Sequence, residues 1–225
     1  QDMYLQEQEN RIKGNSEDLS LLKKHQLKLR KELKLTHAEK IKQIQSILFA
    51  RIERHDAFSI NQILDRIPDL INSRDMDGLT PLLFACEENN PEMVNLMLGY
   101  GAVIDETDHE KYTPLHLSVV QKNPEITKIL LENGASLSAK TIEDDNALFI
   151  ACKMNQKIMV QLLLQHGAAD FIDEPNHKGN TALMCAAKNG NLDMAKLLLE
   201  AGAKTSLKNH KGQTALSIAK NKNYQ

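Results

Sequence analysis

The 225-residue chain has no tryptophan, and aromatic residues make up only 4% of it. A small β-sandwich or barrel fills its core with more aromatic bulk, so the shortage points toward helices. Cysteine is scarce as well. Three residues are too few for a disulfide framework in a chain of this length, and an odd number fits a reducing compartment. No apolar run approaches the roughly 20 residues of a transmembrane helix. The opening Gln1-Asp2-Met3-Tyr4 has no signal peptide and no initiator Met, and with the abrupt stop at Gln225 it reads as a piece of a longer protein. Neither sign of charge dominates: 28 basic and 30 acidic residues leave a net charge of -2, so the chain as a whole is not built to bind nucleic acid by charge. There is no Gly-rich phosphate loop and no CxxC pair, and no nucleophile, base and orienting group converge by spacing. The expectation is a non-enzyme with no catalytic residue, no metal and no cofactor.

What the chain does have is repetition. Asp77–Gly101 reads DGLTPLLFACEENNPEMVNLMLGYG, 110–134 reads EKYTPLHLSVVQKNPEITKILLENG, and 178–202 reads KGNTALMCAAKNGNLDMAKLLLEAG. The residue that opens each unit falls at Thr80, Thr113, Asn146, Thr181 and Thr214, with spacings of 33, 33, 35 and 33. Each unit holds two apolar stretches at helical spacing. Leu82, Ala85 and Cys86 form one stripe, and Met93, Val94, Leu96 and Met97 form the next, which Gly101 ends as a C-cap. One unit of this kind cannot bury its own apolar face, whereas stacked neighbours make a continuous core. Leu82, Leu115, Leu148, Leu183 and Leu216 are the equivalent core positions.

With Thr80-Pro81-Leu82, Thr113-Pro114-Leu115-His116 and the Gly-Ala pairs at 101/102, 134/135, 167/168 and 202/203, the pattern resembles the ankyrin repeat over about residues 46 to 225. The resemblance implies an all-α solenoid of paired helices with β-hairpin fingers. It also implies protein–protein recognition on the concave face of fingers and first helices, and a structural role for His116 in locking its turn onto Thr113. The units are a degenerate repeat at 46–76, repeats at 77–109, 110–142, 143–177 and 178–210, and a partial repeat at 211–225. Three departures carry expectations. Asn146-Ala147 in place of Thr-Pro should start its helix less firmly. Two extra residues around 171–176 should lengthen one finger. The sixth unit stops after its first helix, so it should form a boundary or a half-repeat cap.

Residues 1–45 do not follow the repeat. Ser16-Glu17-Asp18 reads as a helix start ahead of Leu19, Leu22, Leu29 and Leu33, and Thr36 with Glu39 reads as a capping box opening a second helix. The expectation is a helical hairpin that caps the stack, with residues 1–13 as the tail of something upstream. A coiled-coil or partner helix is the alternative, weakened by Gln26 in the heptad.

Charge is distributed unevenly: net -10 from 65 to 145, +5 from 147 to 225 and +3 from 1 to 64. The repeat positions put Met76, Asp77, Leu79, Glu87, Glu88, Tyr100, His109, Glu110, Tyr112, Val120, Gln121, Ile142, Glu143 and Asp145 on the acidic part of the concave face. Lys153, Met154, His166, His177, Lys178, Lys188, Asn189, His210 and Lys211 fall on its basic part. Apolar anchors ringed by charge are how binding faces are built, so another protein is the expected partner on this face. His109, His177 and His210 share one finger position, but repeats packed about 8–10 Å apart cannot share a metal whose ligands lie about 2 Å away. Cys86, Cys152 and Cys185 read as small core residues, and paired acids such as Asp144-Asp145 as exposed turns. Neither nucleic acid nor a transmembrane segment is expected. A cytoplasmic monomer is. Lysines outnumber arginines 22 to 6, a bias of AT-rich genomes that suggests a bacterial effector in a host cytosol. The alternative is a regulatory or substrate-recruiting segment of a larger enzyme.

Overall fold

A computed structural model of the chain describes residues 16–222, and along 16–35 only the side chains of residues 23, 24, 27 and 28. The tail at 1–13 and the stripe Leu19, Leu22, Leu29 and Leu33 lie outside these described residues. The chain divides after Ile47 into two compact units.

The described residues of the first unit belong to one continuous helix, α1 (Ser16–Glu53), 38 residues long. The expected hairpin does not form. Thr36 and Glu39 stand inside the helix rather than at a start, because no Gly or Pro interrupts 16–53 and a Thr caps only where the chain turns.

In the second unit every repeat before the last is a helix, a tight turn and a helix. From Leu48 onward α1 serves as the first helix of the degenerate repeat, with Leu48 and Ile52 fully buried and Phe49 edge-on to Phe84 at 5.5 Å. Its second helix is α2 (Ala57–Arg66), which buries Ile60 and Leu64 and is capped by Asp56. A 3-10 turn, Pro68–Asn72, follows. Four full repeats come next: α3 (Pro81–Glu87) with α4 (Pro91–Gly99), α5 (Pro114–Val120) with α6 (Pro124–Glu132), α7 (Ala147–Lys153) with α8 (Lys157–Gln165), and α9 (Ala182–Asn189) with α10 (Leu192–Glu200). Helix α11 (Ala215–Asn221) ends the described chain. The first helices pack side by side in the order α3, α5, α7, α9, α11, and α4, α6 and α8 form a second row. Among the described residues no strand is formed, and the fold is an all-α ankyrin-type solenoid.

Leu82, Leu115, Leu148 and Leu183 are at most 4% exposed, as the repeat register requires. Leu216 is 62% exposed and corrects the expectation. It faces the side where each earlier repeat supplies a second helix, and α11 has none among the described residues.

Capping explains why the helices are so short and so regular. Thr80, Thr113, Asn146 and Thr214 each accept a hydrogen bond from the backbone three residues on. Asn146 does so at 2.8 Å, the shortest of the four, so its helix does not start less firmly. An Asn carbonyl reaches the orphan N–H as well as a Thr hydroxyl does. Thr181, in the consensus position, makes no such bond. Across repeats the turns are tied by amides: Asn123 Nδ2 donates to Asn89 Oδ1 at 2.8 Å and Asn191 Nδ2 to Asn155 Oδ1 at 2.6 Å.

Candidate partner-binding face

Five fingers project between consecutive repeats, and each is built the same way. Asp75, Asp108, Thr141, Asn176 and Asn209 lie at its base. Each side-chain oxygen accepts from the backbone N–H two and four residues on: Asp77 and Leu79, Glu110 and Tyr112, Glu143 and Asp145, Lys178 and Asn180, Lys211 and Gln213. Such short polar side chains mimic a backbone turn. Each base N–H also donates to the carbonyl four residues on, at 3.0–3.1 Å. The bend needs a left-handed residue, supplied by Gly78, Lys111, Asp144, Gly179 and Gly212. The sequence signal for this turn is the periodic Asp/Thr/Asn five residues before each helix-opening residue.

All five fingers span five residues, so the expected longer finger does not exist. The two extra residues are taken up earlier, where Ala168–Phe171 forms a 3-10 turn. Finger register therefore survives. Ile142, His177 and His210 donate their backbone N–H to Glu110, Glu143 and Lys178 of the preceding finger at 3.0–3.1 Å.

The histidines are used between fingers. His109 lies over Gly78 so closely that a Cβ there would sit 2.5 Å from Nε2, and His210 covers Gly179 in the same way. His177 Nδ1 lies 2.9 Å from the Glu143 carbonyl and 3.0 Å from its carboxylate. His116 is fully buried, and its Nδ1 accepts from the Thr113 backbone N–H at 3.1 Å, closing a capping box. That is the turn-locking role the resemblance implied.

On the face of finger tips and first helices, Met76 is 99% and Ile142 54% exposed. Met154, at 36%, sits at the end of α7. Asp77, Glu87, Glu88, Glu110 and Glu143 are exposed at the acidic end, and Lys178, Lys188, Asn189, His210 and Lys211 at the basic end. Leu79, Tyr112 and Val120 are half-buried, and Tyr112 packs edge-on to His116 with ring centres 6.0 Å apart. Gln121 is exposed but donates to the Glu87 carbonyl at 3.1 Å. Burial raises the Glu87 pKa above the usual carboxylate value, and Glu88, Asp75, Asp108 and Asp77 add to the rise.

Two expected members of the face are placed elsewhere, and a third is buried within it. Tyr100 and His166 cap the second helices α4 and α8, so they belong to the other row. The Tyr100 hydroxyl binds Asn61 and Asp65 of α2 at 3.0 and 2.9 Å, and His166 Nδ1 lies 2.9 Å from the Leu162 carbonyl. Both stand just before a Gly, at the exit of the outer helix. Asp145 is the third. It is 2% exposed rather than solvated, held by Lys153 Nζ at 3.0 Å and Asn176 Nδ2 at 3.0 Å. Burial pulls the Lys153 pKa down, but the bond to Asp145 and its charge outweigh that, and the ammonium is held above its ordinary range. The acidic and basic halves thus meet at an internal ion pair. Burial pushes the Cys86 and Cys152 thiols far up and Cys185 to about 12, so none is poised as a thiolate nucleophile.

A model of ankyrin repeats in three copies matches residues 48–141 and 137–209, and the chain belongs to the ankyrin-repeat family. Among solved structures it is similar to EF0377, an ankyrin-repeat protein, with 31% identity and a TM-score of 0.72 over 79% of this chain and 92% of that one. It also resembles a chain from the complex of the predatory endopeptidase Bd0816 of Bdellovibrio bacteriovorus with the immunity protein Bd3460. That match has 27% identity and a TM-score of 0.68 over 77% of this chain and 90% of that one. The ankyrin domain of Bcl-3, of the IkappaB protein family, matches with 24% identity and a TM-score of 0.66 over 76% of this chain and 92% of that one, a likeness of fold. Ankyrin repeats are protein-interaction modules, and no helix among the described residues is long and apolar enough to cross a membrane.

Proposed function

We propose that the chain recognises a protein segment laid across its finger tips and first helices. The observation that carries this is the exposure of Met76 and Ile142 on fingers pinned at base and flank. Exposed apolar side chains on a fixed backbone lose little freedom on binding and gain what water exclusion gives. Around them the finger-tip charges run from Asp77, Glu110 and Glu143 to Lys178 and Lys211, so a segment with a basic part and an acidic part fits in one direction only. The finer role we infer is a monomeric effector segment in a host cytosol, supported by the lysine-rich composition. A second reading, docking onto an enzyme, takes support from the likeness to the endopeptidase–immunity complex.

The test is selection of a random displayed peptide library on the protein, followed by kinetics with variants. Met76→Ser and Ile142→Ser should each weaken the selected peptide by about 2 kcal/mol. Glu87→Lys with Glu88→Lys should slow association, most at low salt. Peptides indifferent to all four changes, but lost when lysines at 23–42 are neutralised, would move the interaction to α1.

A further inference from the structure

The basic end of the face is more than a charged surface. The last two fingers and helices α9 and α11 enclose a recess of ≈ 410 Å³. Lys178 and Lys211 enter it from the finger tips, Lys188 and Lys222 from the helices, and His177 and His210 from the finger flanks. No carboxylate lines it. Among the described residues none of these four lysines is in an ion pair; Glu143 pairs with His177, and Glu143 and Asp145 line the adjoining hollow that Lys178 and Lys188 also border. Four lysines thus border one concavity whose lining has no carboxylate, and their summed field favours an anion there.

The lining also narrows the kind of anion. Arginine, with its planar fork, is the residue suited to paired recognition of a carboxylate, and none lines the recess. Lysines act as point charges converging from several directions, which suits a compact tetrahedral anion. A phosphoryl group carries about -1.5 to -2 charge at neutral pH and three acceptor oxygens. That is enough to engage several ammonium groups at once, where a single carboxylate is not.

We propose that this recess is a phosphoryl site, filled by a phosphorylated side chain of the segment bound along the face. The inference rests on the proposed function, since the recess opens between the same finger tips and first helices. It adds that the partner is recognised in its phosphorylated form, so phosphorylation of the partner switches binding on.

The experiment is an NMR titration of the ¹⁵N-labelled chain with the blocked tripeptide Gly-phosphoSer-Gly, its Gly-Glu-Gly twin and inorganic phosphate. Shifts are expected at residues 177–180, 188 and 209–213 and not at 75–79, with the phosphopeptide binding at least tenfold more tightly than the Glu twin. Lys178→Met with Lys211→Met should lower that affinity at least tenfold while the remaining spectrum stays native. Lys220→Met, on α11 but outside the recess, should not lower it. Equal binding of the Glu twin, equal binding of inorganic phosphate, or shifts spread over the lysines of 23–42 would overturn the proposal. So would tighter binding to vesicles containing a phosphoinositide or to duplex DNA. Such a failure leaves the face itself to be judged separately, by the Met76 and Ile142 variants.

Discussion

His116 makes one repeat sensitive to acid. Its ring is fully buried, and Nδ1 accepts from the Thr113 N–H. Burial disfavours the imidazolium. The Ala139 backbone and the charges of Asp145, Asp108 and Asp105 oppose this only in part, so the pKa falls from 6.5 to about 4. The unfolded chain therefore binds a proton that the folded chain refuses between those values, and stability must fall as pH is lowered through the window. Above pH 6.5 the penalty is absent; below about 4 it is complete. At 1.36 kcal/mol per pH unit the full penalty is about 3 kcal/mol. The assay is urea unfolding from pH 7.5 to 4 for the native chain and for His116→Gln. Gln keeps an acceptor at the third helical position, as in the common capping box, and has nothing to titrate. The variant should be less stable at neutral pH and lose less stability on acidification, the two curves converging by about 3 kcal/mol. The carboxylates, Glu87 included, are common to both and cancel. Parallel curves, or an imidazole signal titrating near 6.5, would refute the reasoning.

Other expectations follow from the turns, the internal ion pair and the stack end. Lys111→Gly should stabilise by about 0.5–1 kcal/mol in urea or thermal melts, because Lys111 holds φ 61° where three of the other four fingers have Gly. Gly179→Ala should destabilise, since the new Cβ meets the His210 backbone N at 2.9 Å and φ is +74°. Asp145→Ala should cost about 1–3 kcal/mol by removing the buried acceptor of Asn176 and the partner of Lys153, and a double-mutant cycle with Lys153→Met should show the two coupled. Leu115→Ala should cost about 2–5 kcal/mol and Leu216→Ala less than about 1, as calorimetry would show.

The repeat was legible because its marker residues do local work. Thr80, Thr113 and Thr214 cap helices, Gly101 and Gly134 take positive φ, and the leucines between them are buried by any stacking of such units. The misreadings share a cause: they concern where a side chain goes once neighbours arrive. Tyr100 and His166 differ from face residues only by a helix-exit position. Asp145 looks like one more acid in an acidic stretch until Lys153, eight residues on, and Asn176, at the base of the next finger, close over it. In α1 the capping box was a true local pattern outvoted by an uninterrupted run of helix formers. In the sequence the recess at the basic end is single lysines with 10 to 23 residues from each to the next, and only the folding of two fingers toward two helices makes them one group.

The 3-10 turn at Ala168–Phe171 absorbs two residues without disturbing the finger that follows. Length between a second helix and the next finger is therefore a free variable, while the joints on either side of it are not. That makes the stretch after Gly167 the natural place to graft a reporter or a foreign loop: the insertion would leave every inter-finger bond in step. The same two residues placed between Asn176 and Asn180 would instead break the turn that sets the finger.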